Sequence, residues 1–383
     1  MVARAFSSIL RREIFGPGQG LTHSILTMSK KIISGIQQVG IGVPNVHEGF
    51  AWYRKHFGVD IKILDDDGSA ELMLPYTDNK PHERHAILAI SQRGGGGFEI
   101  WQYKSRKPEP PRFQAQLGDF GINIAKIKAD DVNKAYQFLK GKGVTIASDI
   151  TKTPAGKEHF FMQDPYGNYF EIIQSDDFFA KGNMPTGGAY GAILGVSDIE
   201  KSRVLYSDIL GYDQVIYDET GTFEDLKGVP GGEGKFRRVL LGHSQARKGA
   251  FAPMLGSSQI ELVQVLDREP KKIFEGRLWG DEGYIHLCFD IQGREALEKE
   301  CTEKGFPFTV DSSAGLDSFD MGDAAGLFFY IEDPDGTLIE FVETHKVPVM
   351  KKFGIFINLR KRDPEKALPS WMLRALKVMR VKD

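Results

Sequence analysis

The chain has 383 residues, 49 Lys and Arg against 52 Asp and Glu, a formal charge of −3, and 41% hydrophobic residues. That balance excludes wholesale nucleic-acid binding, which needs a basic surface to displace counterions from phosphate, and no apolar run approaches the roughly 20 residues that span a bilayer. Two cysteines, Cys288 and Cys301, are too few for a disulfide framework or a four-thiolate zinc site, so a reducing, cytoplasmic setting is expected.

Residues 1–27 carry Arg4, Arg11 and Arg12, several Ser and one acid, Glu13. Two readings of this extension (1–30) stand: a mitochondrial transit peptide, or an upstream start with Met28 opening the protein. From about residue 31 a module repeats four times. Its opening strands are IQQVGIGVPN (36–45), FGINIAKIKA (120–129), YGAILGVSDI (190–199) and YIHLCFDIQG (284–293). Its closing strands are FEIWQY (98–103), FEIIQS (170–175), IELVQV (260–265) and IEFVET (339–344), each with a Glu near its start.

The copies alternate in kind. Modules one and three share an aromatic helix with a closing Gly, FAWYRKHFGVD (50–60) and SRVLYSDILGYD (202–213), with Gly58 and Gly211 as C-terminal caps. Trp52 and Tyr53 on the first of these read as core. Modules two and four share AYQFLKGKGV (135–144) and ALEKECTEKGF (296–306), then a hairpin signal, DPYGN (164–168) and DPDGT (333–337). This predicts an α+β chain of β-α-β-β-β modules, with an N-terminal half at 31–178, a C-terminal half at 186–345, and a Gly/Pro-rich linker at 180–191. Each module is too small to bury both faces of a sheet alone, so pairs of modules must share a curved sheet with helices outside. The tail, 346–383, has eleven Lys and Arg against three acids and ends in a helix that places Met372, Leu376 and Met379 on one face. It is expected to pack on the protein's own surface, with weak membrane-surface contact as the alternative.

Alternation puts Gln38, Gly40 and Gly42 on the concave face of the first strand. The equivalent inward positions are read as Asn123, Gly191 and His286, and the closing strands add Glu99, Glu171, Glu261 and Glu340. A carboxylate among apolar neighbours in a central strand loses hydration without return unless it is partnered, and a divalent metal is a natural partner. GGGG (94–97) and GVPGGEGKF (228–236) read as loops, with Arg237 and Arg238 able to meet an anionic substrate. His82, Glu83 and His85 precede a strand, away from the cup floor.

With these four repeats and their D-P-x-G…E endings, residues 36–344 resemble the vicinal oxygen chelate superfamily, of the glyoxalase, bleomycin-resistance and dioxygenase type. The resemblance implies two cups, each able to hold one divalent ion that grips two vicinal oxygens of a small-molecule substrate. Two module pairings are open. If one pairs with four, as in a fused glyoxalase I, a cup presents Gln38, Glu99, His286 and Glu340, and the other presents Asn123, Glu171, Gly191 and Glu261, with little or no metal. If neighbours pair, His286 and Glu340 share a cup with Gly191 and Glu261.

One imidazole among oxygens suits Ni, Zn, Mn, Co or Mg in Lewis-acid chemistry. By resemblance, Glu340 is the first candidate for a base moving a proton through an enediolate, with Glu99 second. Trp101 and Tyr103, two and four residues after Glu99, are expected to line the substrate pocket. The expected function is therefore a metal-dependent lyase or isomerase of glyoxalase type. A non-haem Fe(II) dioxygenase is the alternative, needing a further His such as His243, and a non-catalytic ligand-binding protein is the third. Four modules in one chain imply a monomer or weak homodimer.

Overall fold

The computed structural model describes residues 30–313, 319–321, 324–350 and 355–381, so the N-terminal extension lies outside the described residues. Module one runs β1 (Ile32–Gly42), α1 (Val46–Phe57), β2 (Ile61–Ser69), β3 (Glu83–Ile90) and β4 (Gly97–Tyr103). Module two runs β5 (Gly121–Ala129), α2 (Val132–Gly141), β6 (Thr145–Ile146), β7 (Thr151–Lys152), β8 (Glu158–Gln163) and β9 (Tyr169–Gln174). In module three, β10 (Thr186–Gly195) leads to α3 (Ile199–Arg203), which continues as a π-helical turn over Val204–Ile209. After it come β11 (Gln214–Gly221), β12 (Phe236–Gly242), the short α4 (Ala252–Leu255) and β13 (Gln259–Val265). Module four comprises β14 (Gly283–Gln292), α5 (Arg294–Glu303), β15 (Val310–Asp311), β16 (Phe319–Met321), β17 (Ala324–Glu332) and β18 (Leu338–Met350). The tail adds β19 (Ile355–Asn358) and α6 (Ser370–Ala375), which ends in a 3₁₀ turn over Leu376–Met379.

The strands form two mixed sheets, and their order resolves the pairing. One sheet runs β15-β17-β18-β14-β1-β4-β3-β2, joining module one to module four. The other runs β11-β12-β13-β10-β5-β9-β8-β6, joining modules two and three. At each centre two opening strands lie antiparallel, β1 on β14 and β10 on β5, and each has its own module's closing strand parallel on its outer side. The α+β cup architecture expected from the repeats is what the chain adopts.

The two recurrent sequence signals meet each other in space. In each D-P-x-G turn the Asp accepts two backbone hydrogen bonds, Asp164 from Tyr166 and Asn168, and Asp333 from Asp335 and Thr337. The closing glycines, Gly167 and Gly336, have φ of 90° and 92°, which a side chain would disfavour. The other carboxylate oxygen receives a tyrosine from the preceding module's helix: Tyr53 to Asp164 at 2.6 Å, and Tyr206 to Asp333 at 3.0 Å. All four residues are buried. Sheets therefore link modules one to four and two to three, while these tyrosines link one to two and three to four.

The tail packs on the protein's own surface. Met372 and Leu373 are buried with Ile61, Ile90 and Met254, and Arg380 pairs with Asp60 at 3.0 Å. Among the described residues no helix is long and apolar enough to cross a membrane.

The tyrosine locks carry the first prediction. Tyr53→Phe leaves Asp164 short of a hydrogen bond where water cannot substitute. Such bonds to charged groups contribute about 1.5–3 kcal/mol. Urea denaturation should show a loss of that size, and Tyr53→Phe with Tyr206→Phe should add, because the two locks share no partner.

Candidate metal centre

Strand register decides what faces each cup. In the parallel pairs, Glu99 lies opposite Gly40, Glu171 opposite Lys126, Glu261 opposite Ile193 and Glu340 opposite Cys288. Two residues earlier on the opening strands stand Gln38, Ile124, Gly191 and His286. The expected placement of Asn123 is thus off by one: Ile124 points into the cup, buried with Leu117, Phe161 and Ile193. Asn123 turns back to hold the turn before β5, donating to Asp119 O and accepting from the Gly118 amide, both at 2.7 Å.

In the cup of modules one and four, four predicted residues converge. His286 Nε2 lies 3.1 Å from Glu340 Oε2 and 3.3 Å from Glu99 Oε2, and the amide of Gln38 lies 3.2 Å from Glu340 Oε2. Ligand atoms about 2.0–2.2 Å from one ion stand about 3.0–3.5 Å from each other, so these spacings match a shared cation. The ligand atoms of Glu99, His286 and Glu340 all lie within 4.8 Å of one another. Two buried atoms, His286 Nε2 and Gln38 Oε1, have no hydrogen-bond partner, and turning the Gln38 amide over would put its oxygen in the cluster. Residues and donor set together fit a divalent metal.

The local sequence makes room for this cluster. A Cβ at Gly40 would fall 2.5–2.7 Å from three atoms of the His286 ring, so glycine is what lets the imidazole lie across β1. His286 Nδ1 faces the Tyr330 hydroxyl at 3.5 Å, leaving Nε2 toward the carboxylates. Burial alone would lower the pKa of His286, but Glu340 and Glu99 outweigh it and hold the imidazole up to about 10. Glu340 is also penalised by burial, yet His286 beside it keeps its pKa below the usual carboxylate value. Glu99 is the more open carboxylate, its side chain 16% exposed against 8% for Glu340.

The other cup has solved the same problem internally. Lys126, on β5, bonds both Glu171 and Glu261 (2.7 Å to the latter). Arg238 donates to Glu261 at 2.8 Å and to Asp225 at 2.9 Å, Tyr217 to Glu261 at 2.8 Å, and His159 meets Glu171 at 2.7 Å. An ammonium sits between the two carboxylates where the first cup has the His286 ring lying over Gly40. Arg238 is therefore part of this buried network, and Arg237 is held by Asp218 and Glu200, so neither is free for an anionic substrate as expected. His82 and His85 also part company, to Ser105 and Asp65. His243 follows β12 in the second sheet and packs on Tyr212, so it does not join His286.

A cavity of about 400 Å³ opens over the first cup. Gln38, Glu99, Glu340 and Tyr330 form its polar floor, while Trp101, Trp279, Met73 and Phe328 wall the end near His286. Trp101 lines it as expected. Tyr103 does not: it is buried behind Trp101, with its hydroxyl bonded to the carbonyl of Trp279. Trp279, which lies in a loop with no repeat pattern, stacks on His286 with ring centroids 6.3 Å apart and leaves its indole N–H unpartnered. Asp290 also lines the cavity, and burial pushes its pKa up to about 7. Neither was marked by the sequence.

Residues 35–172 match the family model described as the Glyoxalase/Bleomycin resistance protein/Dioxygenase superfamily. Over modules one and two, about a third of the chain, the sequence resembles that superfamily. Its members are mostly metal-dependent enzymes that act on small molecules. No curated protein sequence matches the chain. Among solved structures, a point mutant of glyoxalase I from Zea mays is similar at 17% identity and a TM-score of 0.50, covering 82% of this chain and 92% of that one. A putative dioxygenase from Bacillus subtilis subsp. subtilis str. 168 is similar at 14% identity and a TM-score of 0.50, covering 82% and 86%. At such identities these likenesses establish the fold and leave the reaction open.

The internal ammonium of the second cup is testable on its own. Lys126→Met removes the cation and leaves two carboxylates buried side by side. Breaking a buried pair this way costs about 3–5 kcal/mol. The variant should unfold at correspondingly lower urea, or fail to fold at 37 °C.

Proposed function

We propose that the cup of modules one and four binds one divalent metal through Gln38, Glu99, His286 and Glu340, and that the protein is a glyoxalase-type lyase or isomerase. One observation carries this reading. Two carboxylates share a buried floor with a single imidazole and with no Lys or Arg paired to them among the described residues, whereas the equivalent carboxylates of the second cup are bridged by Lys126. When bound, Ni, Zn, Mn, Co or Mg at this floor supplies Lewis-acid polarisation of two vicinal substrate oxygens.

The side chains around that point have separable tasks. Glu340 is held by Gln38 and His286 and lies against Tyr330 and Cys288, which suits a fixed ligand. Glu99 has fewer restraints and faces the cavity, so it is the better placed of the two to take a proton from one carbon and return it to the next. This reverses the order that the family resemblance implies. Trp101 and Trp279 exclude water from the reacting carbons, which strengthens every charge interaction on the floor.

Non-haem Fe(II) dioxygenase chemistry usually draws on two His and one carboxylate. This floor offers one His, and His243 lies in the other sheet, so the proton-transfer reading is preferred.

Elemental analysis and turnover of an α-ketoaldehyde with glutathione, or of related 2-hydroxycarbonyl compounds, test the proposal. His286→Ala and Gly40→Ala should each lose most bound metal. Glu340→Gln should lower metal affinity at least tenfold, while Glu99→Gln should keep more of the metal and lower kcat by at least a hundredfold. Equal metal content in wild type and His286→Ala would overturn the site. Full metal with no turnover of any such compound would leave a ligand-binding protein.

A further inference from the structure

Four residues beyond His286 on β14, the same strand face presents Asp290. No register shift intervenes between Cys288 and Asp290 in the pairing with β18, so the two side chains share the cup side of the sheet. At about 3.3 Å per residue, Asp290 stands about 13 Å along the strand from His286. The cavity reaches it: Gln38, Glu99 and Glu340 lie at one end of the lining, Asp290, Val342 and Thr344 at the other.

Asp290 is 1% exposed, and neither carboxylate oxygen has a hydrogen-bond partner of normal geometry. The Ser34 hydroxyl beside it is near enough to temper the rise in its pKa, yet is itself buried and makes no well-formed hydrogen bond. This is unlike the other buried acids named above, each of which is answered by the protein: Asp164 and Asp333 by tyrosines, Glu171 and Glu261 by Lys126, Asp225 by Arg238. An acid buried without any such answer is expensive, and a ligand that supplies the missing donor removes the penalty.

Around Asp290 the cavity wall is apolar and comes from different parts of the chain. Met254 and Leu255 of α4 contribute, with Val347 of β18, and the tail closes over them with Leu376 and Met379. These residues belong to one apolar cluster with Ile61 and Ile90, or, for Leu255, lie against Gly35 beside Asp290. The cavity thus joins two apolar patches, each with polar atoms lacking partners at its base.

We propose that Asp290 is a second anchor of this cavity, which takes an elongated substrate bearing vicinal oxygens at one end, an apolar middle, and a hydrogen-bond donor, an amine or hydroxyl, at the other. The inference rests on the metal-site reading for the first end only. The tail residues Leu376 and Met379 line the same cavity and so limit the size of substrate accepted.

The test uses matched probes on the zinc-loaded full chain. Hydroxamates chelate metals through two adjacent oxygens, so octanohydroxamic acid and 8-aminooctanohydroxamic acid differ only at the far end. Calorimetry should show the amino compound binding at least tenfold more tightly to wild type, with that preference abolished in Asp290→Asn. A preference below twofold in wild type, or one that survives in Asp290→Asn, overturns the proposal. Octylamine against heptyl methyl ether, which has no hydrogen-bond donor, on the His286→Ala protein separates the two readings. A preference for the amine that depends on Asp290 supports the anchor even where the metal site has failed, and its absence overturns the anchor independently of metal. Asp290→Asn should also leave the urea midpoint unchanged or raise it, since an unanswered buried carboxylate has been removed. A lower midpoint with unchanged ligand preference would assign Asp290 a structural role and overturn the proposal.

Discussion

A carboxylate set in the centre of a sheet must be neutralised, and this chain contains the problem four times. The closing strand of every module brings one Glu to the floor of a cup, so each cup receives two negative charges within a few ångströms. Mutual repulsion and lost hydration make that pair untenable by itself. The second cup answers with Lys126, placed directly opposite Glu171 in the parallel register, and reinforces it with Arg238. The first cup has Gly40 at the register position of Lys126 and an imidazole lying across it. Two cups built from the same repeat therefore differ, one closed by Lys126 and Arg238 and one that sets a single imidazole against its two carboxylates.

The fourfold repeat, the turns, the helices of modules one and three and the inward side chains of modules one and four were legible in the sequence because each depends on local pattern. Gly58 and Gly211 end their helical segments as the caps required. The pairing of modules was not legible: closing strands sit parallel to their own opening strands under either arrangement, so the spacing within a module is indifferent to its partner. The slip at Asn123 has a simple physical origin. Side chains alternate with a period of two, so a one-residue error in aligning FGINIAKIKA exchanges the faces completely. It hid Lys126, which then looked like an ordinary outward lysine, and with it the reason the second cup differs. Tyr103 shows the limit of alternation from the other side: it does point the same way as Trp101, but Trp279 arrives from a distant loop and covers it.

The tyrosine locks explain why the two sheets form one body. Each sheet joins an odd-numbered module to an even-numbered module from the opposite half of the chain, and each lock joins an odd-numbered module's helix to the turn of the module that follows it. Every module is thereby held by two others through different chemistry, one backbone ladder and one buried hydroxyl-carboxylate bond. Both cups are completed within a single chain. Side chains at positions 38 and 340 can then be separated by almost the whole folded sequence and still be fixed to each other by the ladders from β1 to β14 and from β14 to β18.

The same asymmetry extends beyond the floor. Where the second cup fills its interior with Phe161, Leu117 and Phe236 and buries its charges in a closed network, the first leaves a cavity whose walls are apolar and whose polar atoms are unanswered at both ends. An interior meant only for packing would be under pressure to remove such atoms, because an unpaired buried acid such as Asp290 destabilises the fold and an aliphatic replacement of its size would not. The fold shows, in its other half, that it can satisfy buried acids with lysine, arginine and tyrosine from neighbouring strands. The groups at the two ends of the first cup suit the two occupants proposed for it: a cation beneath Trp279, and a donor-bearing molecule stretched from that cation toward the tail.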